Sequence, residues 1–189
     1  MLSEKYKNIL IVSGIIMAIL CILLTGYVLI NKIRLSGDMK DANEFVSNFS
    51  NLVEKNKTEI KYKETLVAGI MIVPNINLKV PILNDAIVNI EEATSVVSGA
   101  GINNVGNTVI VGQSYLKNTA FYNLENLKID DEIHITDTKG ITKNYTIYDI
   151  YKTAKEDKKY ITENSKGNTR ITLITNKDNE ILVVQADAN

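Results

Sequence analysis

A single cysteine, Cys21, stands among the 189 residues, so no disulfide can form within the chain. Histidine is equally scarce. His134 alone offers an imidazole, which leaves no pair to clamp a zinc ion and no Cys/His cluster for a metal centre. The sequence therefore predicts neither a cofactor nor a bound metal. Tryptophan is missing and aromatic residues make up 6% of the chain, poor material for a platform on which bases stack. Charge of one sign is also lacking. Lys+Arg 21 against Asp+Glu 22 gives a formal net charge of -1, with no basic field to hold a phosphate backbone, and no nucleic-acid partner is expected.

What the chain has instead is apolar material, 45% of its residues, and part of it is in one block. Ile9 to Ile30 carries no charge over 22 residues, which as a helix rising about 1.5 Å per residue covers about 30 Å of hydrocarbon. A secretory signal has a shorter apolar region ending in a small-x-small cleavage site. Here the exit reads Tyr27-Val28-Leu29-Ile30-Asn31-Lys32, so the segment is read as an uncleaved anchor, with Cys21 mid-span as an apolar filler ahead of a palmitoylation candidate. The flanking charges, Lys5 and Lys7 on one side and Lys32, Arg34 and Lys40 on the other, do not set its orientation.

The remainder is long enough for one hydrophobic core. Met39, Ala42, Phe45, Val46, Phe49, Leu52 and Val53 recur at spacings of three and four, the pattern of an amphipathic helix that packs on the domain or lies along the membrane. Strand signals follow. Leu66 to Val73 and Leu78 to Leu83 are apolar runs split by Pro74-Asn75-Ile76-Asn77, a turn. Asn107 to Val111, Asp131 to Thr136, Tyr145 to Ile150, Arg170 to Thr175 and Ile181 to Ala186 continue the series, with a turn at Lys139-Gly140 and a short helix or turn over 118–127. The expected fold is mostly β, closed or sandwich-like, not a parallel α/β sheet. The chain divides into a tail (1–8), a transmembrane anchor (9–30), a linker and amphipathic helix (31–65) and a β domain (66–189).

Certain motifs follow one another in a fixed order: Gly69-Ile70-Met71-Ile72-Val73-Pro74-Asn75-Ile76, Val80-Pro81-Ile82-Leu83, Gly106-Asn107-Thr108-Val109-Ile110-Val111-Gly112 and Phe121-Tyr122-Asn123-Leu124. Asp131-Glu132-Ile133, Ile171-Thr172-Leu173-Ile174-Thr175 and Leu182-Val183-Val184 complete the set. This order resembles the sortases, and the anchor followed by a helix is similar to class B and related clostridial forms. The resemblance implies an eight-stranded β-barrel with short helices, exposed outside a Gram-positive cell, with residues 1–8 in the cytoplasm and a single membrane span. It implies cysteine transpeptidase chemistry, in which sorting signals are cut and joined to an amine on the wall or on a pilin. The partners implied are the membrane, cell-surface proteins, pilins and wall cross-bridge peptides.

That chemistry uses a thiolate nucleophile, a histidine that exchanges protons, and an arginine that supplies cationic donors. The positions that match these in this sequence are Asn176, Gln113 and Glu180. None retains its chemistry, because Gln113 does not titrate, Asn176 carries a carboxamide and Glu180 a negative charge. No catalytic residue is intact. Gln113 and Asn176 are expected to face each other across one groove, with Ser114, Thr175 and Arg170 as further groove residues. Arg170 is also read as a solvated strand-end charge, and His134 as solvent-facing. Ser114 or Thr175 could attack only with a base, for which Lys177 would have to be desolvated. Asp130, Asp131 and Glu132 read as a charged turn entering a strand rather than as a calcium site. The sequence thus points to a catalytically inactive sortase-fold protein that binds peptides or proteins or aids assembly at the cell surface. An active transpeptidase with a non-standard catalytic group and a purely structural scaffold are the alternatives.

Overall fold

The chain begins with one unbroken helix. The structure, a computed structural model, describes residues 4–55, 59–84, 91–162 and 165–189, and α1 (Glu4–Lys55) accounts for 52 of them. At about 1.5 Å per residue it is about 78 Å long. Residues 31–36, expected as a linker, are helical. No proline interrupts the chain before Pro74, and Asn31 to Leu35 carry side chains that a helix tolerates. Packing then holds the segment, since Leu35 is buried at 2% exposure.

The two halves of α1 have opposite surroundings. From Tyr6 to Ile33 its large apolar side chains are exposed, and its most apolar 18-residue window has mean hydropathy 2.8 with nothing covering it. This half is a candidate membrane span. Beyond it Leu35, Ala42, Val46 and Phe49 form a single buried stripe. Ala42, Val46 and Phe49 pack with Ile60, Tyr62, Val67, Ile70, Leu83 and Ala93, while Phe45 meets the Tyr62 ring edge-on at 5.1 Å. The amphipathic helix that the spacing predicts is therefore docked on the β domain.

That domain is a closed barrel of eight strands. β1 (Lys61–Tyr62) is a two-residue ribbon on the edge of β2 (Thr65–Val73). The wall then runs through β2, β3 (Leu78–Leu83), β4 (Thr94–Gly99), β5 (Gly106–Gly112), β8 (Thr169–Lys177), β9 (Glu180–Ala188), β7 (Thr142–Ala154) and β6 (Glu132–Asp137), and β6 closes onto β2. Two of its pairings, β3 with β4 and β5 with β8, are parallel, and the other six are antiparallel. Closure removes the bare edges that an open sheet would present.

The apolar runs follow from what covers each strand. In β2, Met71 and Val73 point into the barrel core, while Val67 and Ile70 point outward beneath α1. A strand buried on both faces reads as a continuous apolar run, as Ile70 to Val73 does. The turn after it is as the sequence indicates, a 3-10 turn over Pro74–Ile76 that ends at Asn77 in the left-handed region, φ 51°. The hairpin between β6 and β7 likewise turns at Gly140, φ +81°. Asp137 supports that turn through its Oδ1, which accepts the Lys139 and Ile141 amides. The strand β4 and the short helix α2 (Lys159–Thr162) are additions to the sequence-derived elements.

Candidate functional site

The carboxyl ends of β5 and β8 meet because the two strands run parallel. Their register pairs Gly106 with Thr169 and, five steps on, Val111 with Ile174. Past that point side chains stitch the two chains together. The Thr175 hydroxyl donates to the Gly112 carbonyl at 2.7 Å, and the Ser114 hydroxyl donates to the Asn176 carbonyl at 2.6 Å. Gln113, Ser114, Thr175 and Asn176 are thereby gathered at one end of the barrel. Asn176 is exposed, Gln113 half-buried, and both hydroxyl residues buried.

The return loop after Ser114 forms one side of this place. The Phe121 amide donates to the Gln113 carbonyl at 2.7 Å, and the Phe121 ring covers Gly112 so closely that a Cβ there would lie 2.6 Å from ring carbon Cδ2. Gly112 is thus required by the approach of Phe121. A 3-10 turn at Leu124–Asn126 follows, the short helix expected over 118–127. From it Glu125 reaches back to accept from Lys177 Nζ at 2.8 Å. That hydrogen bond raises the pKa of the Lys177 ammonium above its ordinary value, against a smaller opposing effect of desolvation.

Lys177 is the last residue of β8 before a tip of only two residues, Asp178 and Asn179, since Lys177 already pairs with Glu180. Glu180 is exposed there and pairs on its other side with Ala154. The local charges are therefore Glu125, Asp178 and Glu180 against Lys177. As chemistry the cluster offers hydrogen-bonding groups and carboxylates, with no imidazole and no thiol among them. Ser114 and Thr175 have committed their protons to main-chain carbonyls, and Lys177 is held protonated by its ion pair.

Arg170 does not join this group. It lies six residues from Asn176 along the same strand, about 20 Å away at the opposite end of the barrel. Nor is it solvated, being buried at 7% exposure. Its Nε donates to Asp187 Oδ1 at 2.7 Å and its Nη2 to Asp187 Oδ2 at 3.2 Å, and the guanidinium lies 4.7 Å from the centre of the Tyr148 ring. The cause is the register of β8 on β9, which sets Asp187 directly opposite. His134 is on the far wall, in β6, which is separated from β8 by β9 and β7. Its side chain is 29% exposed and its Nδ1 is 2.8 Å from Asn144 Oδ1. In the acidic turn before β6, Asp131 accepts from the Lys128 amide at 2.8 Å and from the Asn75 side chain. Glu125 carries no sequence signal that marks it as a neighbour of the groove, and Phe121 stands in one of the motifs without its contact to Gly112 being legible; the packing of the 115–127 loop brings both there.

The barrel, its two parallel pairings and the anchor-like helix in front of it define a class of protein. The sortase domain family matches residues 71–188, well over half of the chain, and the chain belongs to the sortase family. Solved structures with the same fold include a Clostridium perfringens sortase D5 transpeptidase, 22% identical with a TM-score of 0.63, covering 82% of this chain and 99% of that one. Sortase A from Corynebacterium diphtheriae is 20% identical with a TM-score of 0.59, covering 86% and 95%. A pilus-related sortase C of Group B Streptococcus is 21% identical with a TM-score of 0.59, covering 84% and 90%. No curated protein matches the chain.

Proposed function

We propose that this protein is a membrane-anchored sortase-fold module, exposed outside the cell, that binds peptides or proteins at the cell surface without transpeptidase activity. One observation carries the reading. The chain's only thiol, Cys21, lies in the apolar half of α1, and its only imidazole, His134, lies on the far wall of the barrel. The junction of β5 and β8 therefore holds neither the nucleophile nor the proton carrier of the family's reaction. In this reading Gln113, Asn176 and Glu180 occupy the positions of the family's histidine, cysteine and arginine. The committed hydroxyls of Ser114 and Thr175 and the ion-paired Lys177 argue against a replacement nucleophile and base.

The side chains that remain are polar, and beside the Lys177–Glu125 ion pair stand two further carboxylate residues, Asp178 in the turn and Glu180 across the strand pair from Lys177. Such a site favours a ligand presenting an amine or backbone N–H groups, such as a lysine side chain or the free amine of a wall cross-bridge, and disfavours a C-terminal carboxylate. The test has two arms on the purified full chain in lipid nanodiscs. Incubation with a sorting-signal peptide and an amine acceptor should give no amine-dependent product. Calorimetry with an amine-bearing cross-bridge peptide should show binding that weakens in Glu180→Gln. Steady transpeptidation would overturn the inactive assignment, and absence of binding would leave a scaffold. Protease treatment of intact cells should remove the domain after residue 36, whereas protection until lysis would reverse the orientation.

A further inference from the structure

The 115–117 loop is exposed, apolar and fixed in position relative to α1. Beyond residue 33, Tyr115 and Leu116 are the only two consecutive large apolar residues exposed among the described residues, at 56% and 44%. Lys117 follows them, also exposed. The loop is tied to the helix through one carboxylate. Arg34 Nη2 donates to Glu91 Oε2 at 3.2 Å, and the Tyr115 hydroxyl donates to Glu91 Oε1.

Those ties set a height. Arg34 is four residues past Ile30, about 6 Å along the helix axis. Side chains on a helix lean toward its N-terminus, so the Arg34 guanidinium reaches back toward the span and takes Glu91 with it. The headgroup layer on each side of the hydrocarbon is about 5 to 8 Å thick. The Tyr115 hydroxyl is thereby held at headgroup depth. The other end of the barrel stands away from it. The β6–β7 turn lies beside Val53, since a Cβ on Gly140 would be 3.4 Å from Val53 Cγ1, and Val53 is 23 residues or about 35 Å beyond Ile30.

We infer that the Tyr115-Leu116-Lys117 loop inserts into the headgroup layer beside the span and holds the β5/β8 end of the barrel against the bilayer. An aromatic ring and an aliphatic side chain followed by a lysine suit that layer, the first two meeting the acyl boundary and the ammonium the phosphates. Gln113 is two residues from Tyr115, so the candidate groove opens toward the membrane surface and takes ligands presented there. This rests on residues 9–30 crossing the bilayer.

The absence of tryptophan makes the test direct. Full-length Leu116→Trp and Ile141→Trp chains, each with one tryptophan at an exposed site, are reconstituted in vesicles of phosphatidylcholine and phosphatidylglycerol. A nitroxide near the top of the acyl chain serves as quencher. Both chains should float with the vesicles. The Leu116→Trp chain should emit to the blue of the Ile141→Trp chain and lose most of its emission to the quencher, whereas the Ile141→Trp chain should lose none. Flotation with the loop tryptophan as unquenched as the one in the β6–β7 turn would overturn the loop contact and leave the span intact, the outcome expected if a protein partner covers the loop instead. Failure of both chains to float would overturn the span and the loop contact together.

Discussion

Strand β8 has two ends that treat polar groups in opposite ways. At its start Arg170 is buried, ion-paired to Asp187 through two donors and stacked on Tyr148. At its finish Asn176 is exposed and its neighbours Ser114 and Thr175 hold only main-chain carbonyls. The first end is a closed arrangement in which a charge is part of the architecture. The second is an open arrangement in which the hydroxyls hold the strands together beside an exposed Asn176. Arg170, buried and paired at the end of the barrel away from Asn176, is part of what holds the barrel together.

The largest effect should come from breaking the closed end. Arg170→Ala leaves Asp187 partly buried without its partner, and removing one member of a buried pair typically costs about 3 to 5 kcal/mol. Because the Asp187 side chain is 26% exposed, a loss toward the lower figure, about 3 kcal/mol, is expected in a urea titration. Asn176→Ala, six residues on, should change stability by no more than about 0.5 kcal/mol. Equal losses at the two ends would erase the contrast.

Acid should act on the same end. Burial pushes the Asp187 carboxyl upward, but the hydrogen bonds from Arg170 and Asn168 and the Arg170 charge outweigh it and hold the carboxyl below its ordinary value. A group with a lowered folded pKa stabilises the fold above its unfolded value, about 3.9, and that contribution is lost as pH falls through the folded value. Stability measured from pH 7 downward should therefore begin to fall near pH 4, and Asp187→Asn should flatten part of that decline. An unchanged acid limb in the variant would remove Asp187 from the account.

The closed end is also where the sequence misleads. Whether a strand-end arginine is solvated depends on Asp187, 17 residues away, and on Tyr148, 22 residues away, and no local pattern reveals either. Strand β4 escapes a sequence reading for a related reason. Thr94, Ser95 and Ser98 make it read as loop, yet Thr94 is fully buried with its hydroxyl donating to the Pro81 carbonyl. The continuity of α1 through residues 31–36 is hidden because the change from all-round apolar to one-faced apolar looks like a boundary in composition and is none in backbone geometry. By contrast β2, the Pro74 turn, the Gly140 turn and the helical stripe are legible, since each is written in local spacing or in a residue with restricted backbone angles. The gathering of Gln113 with Asn176 is legible only through the motif order, as 62 residues separate Ser114 from its Asn176 partner.

The open end can be damaged too, where it is packed. Gly112→Ala would drive a Cβ to 2.6 Å from the Phe121 ring, and overpacking of that kind costs about 1 to 3 kcal/mol. A drop in thermal midpoint without loss of the barrel's circular dichroism is the expected signature. Ser114→Ala should cost less, about 1 kcal/mol, because it removes one hydroxyl donor from the Asn176 carbonyl. If Ser114→Ala proved the more damaging, the hydroxyl stitch rather than the ring would be holding the loop after β5.

The smallest effect is expected at Asn176, which the proposed function sets at the family's nucleophile position. Asn176→Cys exchanges one exposed side chain for another, so stability should move by about 0.5 kcal/mol or less. Turnover should not appear either. A thiol reacts as its thiolate, and at a position with no imidazole or arginine beside it nothing lowers its pKa; the nearby Lys177 is occupied by Glu125. Adding Gln113→His and Glu180→Arg supplies the three groups by type but not their geometry. Glu180 is one step beyond the residue that faces Asn176, which is Ile181, and a two-residue turn leaves no slack to move it. The triple variant should therefore be alkylated by iodoacetamide at residue 176 more readily than Asn176→Cys alone, since the added cations favour the thiolate, while still failing to join a sorting peptide to an amine. Transpeptidation by the triple variant would show that the orienting groups around the open end are intact, and that only the three side chains separate this protein from an active one.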